Sequence, residues 1–69
     1  MKQFSEILKE KRQARDYSQR WLSIKLGVSV GIVSLWERGK HQPNLPQLVK
    51  LADVLGCTID ELAGRTSRN

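Results

Sequence analysis

The stretch VSVGIVSLWERG, residues 28–39, carries a serine near its start, runs through apolar residues and stops at a glycine. Ser29 is a natural N-cap, because its hydroxyl can accept a hydrogen bond from a backbone N–H of the first helical turn. Gly39 supplies the left-handed conformation on which helices commonly end. A short helix is expected between them. Val30, Gly31, Ile32, Val33, Leu35 and Trp36 leave it few polar side chains. Either the core wraps this helix, or part of its apolar surface presses against a partner.

Upstream, Ser18 caps a second short helix, QRWLSIKL, which Gly27 ends. Leu22 and Leu26 mark its inner face. Only Gly27, Val28 and Ser29 separate the two helices. A turn this short with glycine first joins helices at a steep angle, the helix-turn-helix arrangement.

Farther out, Phe4, Ile7, Leu8 and Lys11 recur at i, i+3, i+4 and i+7, which places a helix over about Gln3 to Arg15. Asp16 stands where a left-handed residue is wanted. Asn44 with Gln47, and Thr58 with Glu61, read as capping boxes opening a fourth and a fifth helix. Leu48, Leu51, Ala52 and Leu55 stripe the fourth, and Gly56 stops it. No strand alternation appears. The expected fold is all-α, five short helices around one core over residues 1–64, with 65–69 (RTSRN) as a frayed tail.

Sixty-nine residues suffice for one small domain. The single cysteine, Cys57, rules out an internal disulfide framework, suits a reducing cytoplasm and is expected to pack as a small apolar residue. One histidine and one cysteine give a metal ion nothing to build on, and no catalytic constellation or cofactor motif is present. The reading is of a protein that is not an enzyme. The opening MKQFSEILKEK, charged throughout, suggests neither a secretory leader nor a membrane span.

Charge is uneven. Residues 1–42 hold nine Lys or Arg against four Asp or Glu, whereas residues 43–69 hold three of each. All the excess positive charge therefore lies in the first three-fifths of the chain. An anionic partner is implied there, nucleic acid before an acidic membrane surface, with a plain solvated basic surface as the alternative.

The ordered set of these features resembles the helix-turn-helix domain of the Cro/cI-type, or XRE-type, bacterial and phage repressors. It comprises Arg12 late in the first helix, SQ opening the second, LGVS at the turn, WERG closing the third, a proline soon after, and LADVLG followed by TIDEL. The likeness runs from about Phe4 to Leu62. It implies a lambda-repressor-like fold and a DNA-binding regulator, usually a repressor, working as a homodimer on a palindromic operator of double-stranded DNA.

The resemblance also assigns roles. Gln19, at the start of the second helix, would grip the DNA backbone, where free N–H groups favour an anion. Arg20 departs from the acid more common there; it suits a nearby phosphate or is an ordinary surface arginine. Arg12 and Glu37 would form a structural ion pair tying the first helix to the end of the third. Arg38 and Lys40 would meet phosphates, with His41 and Gln42 as weaker members of that loop.

Val33 and Trp36 match inward positions. Ser29, Val30, Gly31, Ser34 and Leu35 match positions that face bases or phosphates. Relatives commonly place hydrogen-bonding side chains where this chain has Val30, Gly31 and Leu35. Bidentate pairing to guanine or adenine is unavailable there, leaving thymine methyls, hydroxyl contacts from Ser29 and Ser34, and DNA shape.

Trp21 and Ile24 are apolar where the family is usually polar, and Ile32 could join them. They either pack locally or form a patch for a protein partner. Together with the apolar third helix, that sustains a rival reading, an antirepressor-like or antitoxin-like interaction module whose recognition helix meets a protein partner. Cys57, Ile59 and Leu62 either line the dimer surface that the resemblance implies or complete the core.

Overall fold

The computed structural model describes residues 2–64, which form five α-helices: α1 (Phe4–Ala14), α2 (Gln19–Leu26), α3 (Val30–Glu37), α4 (Leu45–Leu55) and α5 (Ile59–Leu62). The expected tail, 65–69, lies outside the described residues. Helix α1 is one residue shorter at each end than its periodicity suggests, which is ordinary fraying.

Side chains close the helix starts. Ser18 Oγ accepts from the Trp21 N–H at 2.9 Å, and Ser29 Oγ from the Ile32 N–H at 3.2 Å. Both capping boxes are reciprocal. The Gln47 N–H reaches Asn44 Oδ1 and the Asn44 N–H reaches Gln47 Oε1, each at 2.9 Å. The Thr58 N–H donates to Glu61 Oε1 at 2.8 Å, and this bond is the first cause holding the Glu61 carboxyl below its ordinary pKa. At α1, where no serine or threonine announces a start, the Gln3 N–H donates to Glu6 Oε1 at 3.1 Å.

The helix ends follow one rule. In α1 to α4 a backbone N–H just past the helix reaches back five residues: Tyr17 to Arg12 O, Val28 to Ser23 O, Lys40 to Leu35 O and Cys57 to Ala52 O, at 2.9–3.1 Å. That bond requires a left-handed residue before the donor. Gly27 provides it between α2 and α3, at φ +72°. After α1 the same place is taken by Asp16 at φ +58°, a side chain that tolerates the conformation better than most.

The core is Leu8, Leu22, Leu26, Val33, Trp36, Leu51, Ala52, Leu55 and Leu62, drawn from all five helices. Trp36 is the largest fully buried side chain, so α3 is pinned by its own inner face. Ser23 is buried between them and satisfies its hydroxyl by donating to Arg20 O at 2.6 Å. Leu62 belongs to the core, whereas Ile59 and Cys57 are half-buried at its edge. Cys57 is thus less enclosed than its apolar neighbours suggest; burial still pushes its thiol pKa up, and the Lys11 charge opposes that. The two ends of the domain meet at Gly64, where a Cβ would stand 2.6 Å from the Lys2 carbonyl oxygen.

Candidate nucleic-acid interface

Two surfaces are built on α2 and α3, one where the start of α2 meets the end of α3, away from the turn that joins them, and one along α3 itself. The first is the open end of α2. Gln19 and Arg20 are its first two residues, beside backbone N–H groups that an N-terminus leaves without helical partners. Arg20 is exposed. The loop after α3 adds Arg38, Lys40, His41 and Gln42, all exposed. Among the described residues the ion pairs are Lys2–Glu10 and Arg12–Glu37, so Arg20, Arg38 and Lys40 carry no carboxylate partner.

The second surface is the outer side of α3. Val33 and Trp36 are turned fully inward. Val30 is 45% exposed, Ser29 and Gly31 are exposed, and Ser34 and Leu35 are half-buried. Ile32 packs against the core edge. Gly31 has no structural need to be glycine: a Cβ there would meet only Ser29 Oγ, at 3.8 Å. Glycine inside a helix is unfavourable by about 0.5–1 kcal/mol relative to alanine. At Gly31 the exposed backbone of α3 carries no side chain.

A buried polar cluster ties the start of α2 to the end of α3. Arg12 Nε donates to Glu37 Oε2 at 2.6 Å, and Arg12 Nη2 to Glu37 Oε1 at 3.1 Å. The side chains are 11% and 3% exposed. Arg12 Nη1 donates to the Tyr17 carbonyl at 2.7 Å, which fixes the turn before α2. Gln19 Nε2 donates to Glu37 Oε1 at 3.0 Å. The last carboxylate of α3 therefore receives three hydrogen bonds, from α1 and from the first residue of α2. At a helix C-terminus a carboxylate opposes the dipole, and the guanidinium offsets this.

The Gln19–Glu37 bond is absent from the sequence reading. It spans eighteen residues and has no spacing signature. The sequence does carry a signal for Tyr17 and Lys25. Residues 17, 21 and 25 fall at i, i+4 spacing, and they stack: the Tyr17 and Trp21 rings lie 4.0 Å apart, 26° from parallel, with Lys25 Nζ 5.3 Å from the Trp21 ring centre. Of the proposed apolar patch, Trp21 and Ile32 are thus locally packed, and Ile24, 67% exposed, stands out.

Among the described residues no group of three or more His, Cys, Asp and Glu is placed to hold a metal ion, and no helix is long and apolar enough to cross a membrane.

The helix-turn-helix family model matches residues 8–62. The transcriptional repressor RstR of the cryptic phage CTXphi in Vibrio cholerae is 37% identical over 60 residues, 87% of this chain and 54% of RstR. The chain thus spans about half the length of that relative. The P22 c2 repressor, solved with the synthetic operator 9T, superposes with a TM-score of 0.86 at 31% identity, covering 90% of this chain and 94% of that one. Hydroxypropylphosphonic acid epoxidase from S. wedmorenis matches at TM-score 0.81 and 34% identity, covering 87% of this chain but 32% of the epoxidase. Matched over most of its length by family model, repressor sequence and repressor fold, this chain belongs to the helix-turn-helix family, in its Cro/cI (XRE) type.

Proposed function

We propose that the chain is a sequence-specific DNA-binding transcriptional regulator, a repressor that lays α3 in the major groove of a palindromic operator as a homodimer. The observation that carries this reading is the division of α3. Its inner face is spent on the core, while its outer face lies free beside unpaired cations. Arg20, Arg38 and Lys40 would meet phosphates, with Gln19 and His41 beside them. Ser29, Val30, Gly31, Ser34 and Leu35 would meet base edges, thymine methyls above all. The likeness to a repressor solved on its operator supports the same arrangement.

The reading is of a binding protein. Its polar cluster is internally satisfied. The likeness to the epoxidase covers about a third of that chain. The rival, a module for a protein partner at Trp21, Ile24 and Ile32, is weakened by the Tyr17–Trp21 stack and by the packing of Ile32.

Titration with duplex DNA at several salt concentrations tests the proposal. Affinity is expected to fall steeply with salt, with a logarithmic slope of about 0.9 for each phosphate contact neutralised. Site selection is expected to return T-rich half-sites. Failure of micromolar protein to bind any duplex at low salt overturns the proposal in favour of a protein partner.

A further inference from the structure

Glu37 stands apart from the exposed groups. Its side chain is almost fully enclosed, and it cannot itself touch an anion favourably. Yet it sits between the two sets of residues assigned to phosphates: Gln19 on one side, Arg38 and Lys40 on the other.

A carboxylate only accepts hydrogen bonds. Whatever meets Oε1 of Glu37 must therefore offer N–H. Gln19 has a two-edged carboxamide, with an NH2 group on one side and a carbonyl oxygen on the other. A free surface glutamine presents either edge. Here Nε2 is drawn onto Glu37 at 3.0 Å, so one amide hydrogen is committed inward. The second hydrogen on the same nitrogen, together with the Gln19 backbone N–H at the first position of α2, remains available at the open helix end. Both are donors, and donors are what a phosphate oxygen requires.

We infer that Glu37 is a positioning residue for backbone contact: it fixes the orientation of the Gln19 carboxamide so that its remaining N–H serves a phosphate oxygen. Arg12 makes this possible by neutralising the buried carboxylate, and its bond to the Tyr17 carbonyl holds the base of α2 in the same register. The arrangement links the ends of α2 and α3 through one side chain. This inference rests on the DNA-binding reading above.

A double-mutant cycle on DNA affinity tests it, with Gln19→Ala, Glu37→Gln and the pair, each checked for folding by circular dichroism. Glu37→Gln keeps the shape but can satisfy either edge of Gln19. Gln19→Ala is expected to weaken binding by about tenfold, as loss of one hydrogen bond to a charged group does. Folded Glu37→Gln should lose a similar factor, and the pair no more than either alone. Native affinity in folded Glu37→Gln, or losses that multiply in the pair, overturns the inference.

Should Glu37→Gln fail to fold, the wild-type protein still decides. The two side-chain Nε2 hydrogens of Gln19 are distinct by NMR. One is expected to be protected from water in the free protein, and the other to shift when duplex is added. Two rapidly exchanging signals, or no shift on saturation with DNA, overturns it. Absence of any duplex binding by the wild type strikes the proposed function instead, so the two failures are distinguishable.

Discussion

The open end of α2 and the outer face of α3 differ in charge and in hydrogen-bonding groups. The first gathers Gln19 and Arg20, with Arg38 and Lys40 across the loop. The second offers Val30, Gly31 and Leu35, with two hydroxyls from Ser29 and Ser34. One region has charge and no base-reading geometry; the other has almost no hydrogen-bonding capacity. On the proposed reading, affinity and discrimination are therefore separated in space. Phosphate contacts hold the protein on any duplex, and methyl contact and groove shape select among sequences.

Breaking the link between the two regions has the largest expected effect. Arg12→Met strips Glu37 of its counter-charge while roughly keeping side-chain volume, leaving a buried carboxylate uncompensated. Such a loss costs about 3–5 kcal/mol, which a domain of this size can hardly absorb. Chemical denaturation should show the midpoint collapse, and restoration by adding Glu37→Leu would show that the buried charge is the cause.

Changing α3 alone should alter choice more than grip. Leu35→Gln introduces a two-point hydrogen-bonding group on the proposed reading face. Site selection should then report a new preference for adenine at one half-site position, worth about 1–3 kcal/mol. The salt slope should stay as it was. A changed slope with unchanged preference would reverse the assignments of the two regions.

Changing the cations should do the opposite. Arg38→Gln and Lys40→Gln are each expected to weaken binding equally across sequences and to lower the salt slope by about one. A discrimination change from either would place those side chains on bases.

The smallest effect is also the most diagnostic. Gly31→Ala meets no obstruction within the fold and should raise stability by about 0.5–1 kcal/mol, read by thermal denaturation. Operator affinity should nevertheless fall, because on the proposed reading a methyl group would stand where the α3 backbone approaches the groove. A variant both more stable and equally tight would show that the bare backbone has no part in recognition.

Much of this architecture was legible in the residues. Caps are local signals, and Ser18, Ser29, Asn44 and Thr58 each announce a helix within four positions. The inward assignment of Val33 and Trp36 followed from the family likeness, and their burial agrees with it. Other features escaped for physical reasons. Gln3–Glu6 closes α1 without a serine or threonine to mark it. Helical spacing does not say which neighbour stacks on the Trp21 ring, so the sequence alone does not distinguish local packing from an exposed patch. Cys57 looked buried from its neighbours, yet the turn after α4 leaves it at the rim. The Gln19–Glu37 bond joins two residues whose meeting depends on the angle at which α2 and α3 cross, a property of the packed domain and of no single segment.

The two tryptophans give this domain a built-in pair of optical probes. Trp36, sealed in the core, should emit at short wavelength and shift to the red when the chain unfolds. Trp21, half-covered by Tyr17 and Lys25 close to the end of α2, should respond to whatever approaches Gln19 and Arg20. With Trp21→Phe and Trp36→Phe as controls, fluorescence from a single sample can report folding and binding as separate events.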